Sequence, residues 1–205
     1  MKKQILFLVI VLCLTFTSSF GQKSEQDSTY RRYFIGSSLF LLGNFSPNNK
    51  PDFIQLNFGY RITPKDVVSI ELITWKTAWP VGIPYGESFE APEEEYPGYV
   101  RSLGVAFAYQ RFLWKGAYAA VHAFNSRQSY FDESDNKIQN GYQLFMTFRL
   151  GYHIPLFKNR FFIEPSIAVT HWPINTNVPE SFKVLEDKWN NYFLFEPGLH
   201  FGVKF

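Results

Sequence analysis

The chain has 205 residues, 20 Lys+Arg against 18 Asp+Glu, and 20% aromatic residues, with 23 Phe, 12 Tyr and 5 Trp. So small a charge imbalance supplies no broad basic surface for nucleic acid, and so many large rings exceed what one soluble core of this size readily buries. The single cysteine, Cys13, excludes a disulfide framework.

The first element is a leader. Lys2 and Lys3 precede an apolar stretch from Ile5 to about Phe16, and Ser19 and Gly21 occupy the −3 and −1 positions of a cut before Gln22. The apolar stretch is shorter than the ~20 residues of a spanning helix, so residues 1–21 read as a cleaved secretory signal peptide. Residues 22–31 then form a short N-terminal segment, and residues 32–205 form the folded domain.

From Arg32 onward, apolar and polar residues alternate with period two. The segments are 32–43, 52–63, 67–80, 100–114, 117–131, 142–157, 161–175 and 192–205. Each reaches the ~9–11 residues that a tilted strand needs to cross a bilayer. Short connections (63–66, 114–116 and 157–160) alternate with long polar ones (44–51, 81–99, 132–141 and 176–191). Short turns at one end and long loops at the other, with an even strand count, predict an all-β fold: an eight-stranded antiparallel transmembrane β-barrel with short periplasmic turns and long extracellular loops.

Parity assigns the faces. In 52–63 the outward set is Ile54, Leu56, Phe58, Tyr60 and Ile62; in 142–157 it runs Tyr142, Leu144, Met146, Phe148, Leu150, Tyr152 and Ile154. In 192–205 it is Phe193, Phe195, Pro197, Leu199, Phe201, Val203 and Phe205. The intervening positions are polar or small, the inverse of a soluble barrel with an apolar pocket. Tyr60, Tyr109 and Tyr152 recur near the short-turn ends, and Trp75, Trp79 and Trp172 near the long-loop ends, as an aromatic girdle would. Parity places Trp75 inward, however.

The resulting interior holds Arg61, Glu71, His122, Arg149, Glu164, Glu196, His200 and Lys204. Charges of both signs in so narrow a lumen must pair, so the reading is a polar ion-pair network. Glu164-Pro165 and Glu196-Pro197 predict two carboxylates meeting across the last hairpin with Arg149 as counter-ion, and a bulge at the prolines.

Other stretches offer less. In 132–143 Asp132, Ser134 and Asn136 mimic calcium-loop positions, but Lys137 and Gln143 stand where Gly and Glu are required. The acidic run Glu93–Glu95 reads as a solvated tip. Residues 179–191 place Phe182, Leu185 and Trp189 at helical spacing, which suits either a rim helix or a loop packing them inward. No metal site and no cofactor site is predicted.

With its leader, amphipathic strands, short turns and final strand ending in Phe205, the chain resembles the small eight-stranded outer-membrane barrels of Gram-negative bacteria, the group of the OmpA transmembrane domain and OmpX. The resemblance is architectural and covers nearly all of 22–205. It implies a monomer in the bacterial outer membrane, in contact with lipid and lipopolysaccharide, with no nucleic-acid partner. It further implies that Phe201, Val203 and Phe205 carry the signal read by the barrel-assembly machinery. A structural or surface-interaction role follows, with an unidentified extracellular partner on the loops.

Two alternatives remain open: a narrow ion or small-solute channel, and a lipid A acyl hydrolase or acyltransferase. The deacylase pattern sets a Ser two residues after a His, whereas His171 is followed by Trp172 and Pro173. A nucleophile would have to come from a loop, such as Ser181, with Glu180 or Glu186 orienting His171.

Overall fold

A computed structural model of the chain describes residues 31–45, 50–77, 97–188 and 190–205. The predicted leader and N-terminal segment up to Tyr30, Trp79, Glu93–Glu95 and Trp189 lie outside the described residues. The strands are β1 (Tyr33–Ser38), β2 (Ile54–Arg61), β3 (Asp66–Thr77), β4 (Tyr99–Trp114), β5 (Ala117–Phe131), β6 (Lys137–Tyr152), β7 (Ile154–Leu156), β8 (Phe161–Thr176) and β9 (Tyr192–Lys204). A 3-10 helix spans Leu39–Phe45, and the helix α1 spans Glu180–Lys188.

All nine strands belong to one antiparallel sheet. The order β6-β5-β4-β3-β2-β1-β9-β8 closes on itself through β6–β8 pairing, leaving β7 as a short strand on β8. Eight strands therefore form a ring in which no long strand is left as an edge. Closure at β1–β9 is extended by Tyr33 and Phe205, which exchange backbone hydrogen bonds of 3.2 and 2.9 Å.

Turn chemistry explains the short connections. β4 and β5 are joined by Lys115 and Gly116 alone, with φ of 44° and 92°. Positive φ at both central residues matches the twist of a two-residue hairpin, and Gly adopts it without Cβ strain. At the β2–β3 turn, the Thr63 hydroxyl accepts the Asp66 N–H at 3.0 Å and bonds its carboxylate.

Four expectations are corrected. β1 stops at Ser38 rather than continuing to Gly43, because Leu39–Phe45 winds into the 3-10 helix. β6 begins at Lys137, and the connection before it shrinks to a turn in which Asp132 Oδ1 accepts the backbone N–H groups of Ser134 and Asn136. The predicted strand 142–157 breaks after Tyr152, where the His153 N–H bonds the Gly116 carbonyl. Finally, pairing is regular at Pro165 and Pro197, and the irregularity lies between Ala168 and Thr170, opposite Phe195, whose φ is 63°. That shift sets Phe193 opposite the buried Thr170, so Phe193 belongs to the inner face by register.

Candidate functional site

Parity along β2 shows how the sequence builds the interior. Ile54, Phe58 and Ile62 are exposed at 63%, 44% and 53%, while Gln55, Asn57 and Gly59 between them are buried. On β6, Phe148 and Leu150 lie outside and Thr147 and Arg149 inside. The outer surface is apolar and the interior carries charge.

The interior is layered. Toward the long-loop end, Phe53, Ile73, Ala106, Phe124, Phe145 and Trp172 form a buried apolar cluster, with Leu41 and Trp75 against it. Trp172 stacks on Phe145 at 5.9 Å between ring centroids and is 5% exposed. Trp172 is thus an interior residue rather than part of an outer girdle, while Trp75 keeps its inward parity. Above this layer α1 presses the fully buried Phe182 onto Tyr130 at 5.2 Å, which realises the inward-packing alternative for that side chain.

The next layer holds the first ion pairs. Glu71 Oε1 lies 3.0 Å from His122 Nδ1, and Gln55 Nε2 donates to the other carboxylate oxygen over 3.5 Å. Arg149 donates through one terminal nitrogen to Glu196 at 3.1 Å and through the other to Ser166 Oγ at 3.0 Å. Glu196 lies opposite Ala168, and Glu164 opposite His200, so the two glutamates do not face each other and Arg149 serves Glu196.

Glu164 belongs to a separate relay. It accepts a hydrogen bond from Gln110 at 3.1 Å and contacts His153 Nδ1 at 2.6 Å; His153 Nε2 in turn lies 2.7 Å from Lys204 Nζ. An ammonium only donates and a carboxylate only accepts. The partners therefore assign a neutral imidazole protonated on Nδ1, joining the two charges through one ring. Lys204 also donates to Asn159 Oδ1. Arg61 sits nearest the short-turn rim, where it donates to the Pro64 carbonyl at 2.8 Å and covers the Phe112 ring.

Of the eight predicted interior residues, Glu71–His122, Arg149–Glu196 and Glu164–Lys204 are brought together in this way. His200 lines a cavity of about 30 Å³ with Glu71, His122, Arg149 and Glu164. A second cavity, of about 20 Å³, lies among Arg31, Arg32, Arg61, Glu164 and Lys204. Each has room for one or two waters and little more. His153 and Gln110 had the inward parity but were not singled out. The available signal was a third inward His, besides His122 and His200, and a further inward Gln.

The enzymatic candidates are not assembled. His171 has the outward parity of its partner Met146, and its Nδ1 lies 2.8 Å from the Asn191 carbonyl. Glu186 accepts from Asn175 at 3.0 Å, and Glu180 pairs with Lys183 at 2.6 Å. Ser181 is exposed on α1, and among the described residues no hydrogen bond joins His171 to Ser181 or Glu186. Among the described residues, too, no group of three His, Cys, Asp or Glu could hold a metal ion. Among the described residues, no helix is long and apolar enough to cross a membrane, which says nothing about strands.

No family model, curated protein or solved structure matches the chain.

Proposed function

We propose that this chain is a transmembrane β-barrel of the bacterial outer membrane, of the small eight-stranded kind, with a structural or surface-interaction role and a lumen sealed by its own side chains. The observation that carries this reading is the inversion of the ring. Large apolar side chains cover its outside, while Glu71, Arg149, Glu164 and Lys204, all 8% exposed or less, sit inside. In water that arrangement would expose the apolar face and bury charge at a cost of several kcal/mol per ion. In a bilayer the outer face is solvated by acyl chains, and the closed ladder satisfies the backbone.

Lipid and lipopolysaccharide are the partners of the outer face, with Tyr109 and Tyr152 at the short-turn interface. The alternating outer residues of β9 (Phe201 and Val203, followed by Phe205) are the part offered to the assembly machinery. A closed ring leaves no edge for a second copy, which favours a monomer.

A channel is disfavoured by the aromatic layer stacked above the ion pairs, and an acyl hydrolase by the separate engagement of His171 with the Asn191 carbonyl and of Glu186 with Asn175. The test is purification in detergent followed by gel migration with and without boiling. A folded barrel migrates differently before heating, whereas a chain that stays soluble without detergent after removal of the leader overturns the proposal. Planar-bilayer recordings without conductance steps, and no fatty acid released from lipid A, are expected of the sealed structural form.

A further inference from the structure

The wall of the ring is uneven. β1 has six residues, whereas β4, β6 and β8 have sixteen each. At ~3.3 Å per residue β1 rises only about 20 Å, short of the ~9–11 residues of a tilted spanning strand. Its last pairings are Ser38 with His200 on β9 and Gly36 with Asn57 on β2. Beyond them β9 continues to Tyr192 and β2 to Ile54 with no β1 partner.

The 3-10 helix Leu39–Phe45 occupies that place, packed against β9. Resting on the membrane placement proposed above, we infer that this helix is part of the wall within the bilayer, with acyl chains of the leaflet at the long-loop end covering its outer side.

Three observations carry the inference. First, side chains three apart eclipse on a 3-10 helix. Leu41 and Asn44 share the side turned to the ring: Leu41 packs on the apolar cluster, and Asn44 bonds Phe53. Leu42 and Phe45 share another side and are 53% and 80% exposed.

Second, the helix offers little polarity to lipid. Leu39–Phe45 contains no charged residue. Its one polar side chain, Asn44, donates to the Phe53 carbonyl at 2.7 Å and accepts the Phe53 N–H at 2.8 Å, taking the part of a strand neighbour. The Ser38 hydroxyl accepts the Phe40 N–H at 3.2 Å and caps the first turn. Backbone in lipid must be satisfied internally, and these bonds satisfy the Phe40 N–H and both backbone groups of Phe53 where the ladder stops.

Third, exposed apolar side chains flank the helix along the chain, Ile35 of β1 before it and Ile54 of β2, 63% exposed, after it. Leu42 and Phe45 in water would be an isolated apolar patch; in the leaflet they extend a surface already solvated by lipid.

The test places an environment-sensitive fluorophore on single cysteines in a Cys13→Ser chain: Leu42→Cys, Phe45→Cys, Leu103→Cys on the outer face of β4, and Ser134→Cys in the polar turn. Each is reconstituted into phosphatidylcholine vesicles with plain or brominated acyl chains, and aqueous iodide is added separately. The inference expects Leu42→Cys and Phe45→Cys to lose fluorescence in brominated lipid as Leu103→Cys does, and to resist iodide, while Ser134→Cys shows the opposite. Iodide quenching at both helix positions, with Leu103→Cys still quenched by lipid, overturns the inference and leaves the barrel standing. Protection of the helix positions from both quenchers also overturns it, in favour of a protein cover. A Leu103→Cys chain untouched by brominated lipid sinks the membrane placement and this inference together.

Discussion

Glu71 on β3 and His122 on β5 meet at 3.0 Å across an intervening strand, over two alanines of β4. Ala106 is paired with Glu71 and Phe124, and Ala108 with Ser69 and His122. Any larger side chain at these two positions would stand between the carboxylate and the imidazole. Sequence thus sets the pair twice, by the residues that interact and by the small ones that let them.

Removing the carboxylate leaves the imidazole facing Arg149 and His200 in a confined interior. Glu71→Ala is expected to destabilise the ring by about 3 kcal/mol, measured by urea unfolding from detergent or lipid. Combining it with His122→Ala should cost less than the sum of the single changes, by on the order of 1–3 kcal/mol. Simple additivity would mean that the contact contributes nothing.

Gly59 lies directly opposite Phe34 across β1–β2, and a methyl group at Gly59 would overlap the Phe34 ring. The ring fills the space that Gly leaves bare. Gly59→Ala should cost about 1–3 kcal/mol, and Phe34→Leu in the same chain should recover part of that loss. Unfolding midpoints of the two single variants and the double variant decide the matter.

Trp172 stacks on Phe145 within the apolar layer above the ion pairs, where the proposed sealed lumen needs them. Trp172→Ala should destabilise by about 3–5 kcal/mol through the cavity it leaves. It should also raise water access to the layer beneath, seen as faster hydrogen exchange at the β6 amides around Thr147. Conductance steps in the unaltered protein would contradict the sealed interior.

Outside the ring wall, Asp132 organises the turn before β6. Its carboxyl pKa is lowered, first by the hydrogen bond from the Asn136 N–H and also by the Asn136 side chain and the Ser134 N–H. A depressed folded-state pKa stabilises the turn above the unfolded value of about 3.9, and that stabilisation is lost as pH falls through the folded value. Carboxyl-carbon NMR should show Asp132 titrating below an exposed Asp, with turn order fading over the same range. Asp132→Asn, which retains an acceptor oxygen, should flatten the pH response. An Asp132 that titrates at the ordinary value would refute this role.

Alternation was legible wherever a strand keeps period two against both neighbours, as Ile54 to Arg61 and Phe148 to Tyr152 do. It misled where local chemistry competes. "LFLLGNF" reads as a strand tail until Asn44 is seen bonding Phe53, and "NKIQNGY" reads as a loop until its backbone is paired with β5. Near Phe193 the period was right, but one shifted residue at Phe195 exchanged the faces, which no pattern within the strand announces.

The interior charges were legible as a set because parity alone selects them. Their partners were not, because contacts such as Glu164 with His153 and Gln110 depend on how far each strand is staggered around the ring. That stagger also separates Glu164 from Glu196, despite the repeated Glu-Pro.

Fractionation of a Gram-negative host expressing residues 1–205 measures the proposed membrane placement most directly. The protein is expected in the outer-membrane fraction, resistant to salt and alkaline carbonate, and released in folded form only by detergent. A folded protein recovered from the soluble periplasmic fraction without detergent would contradict it.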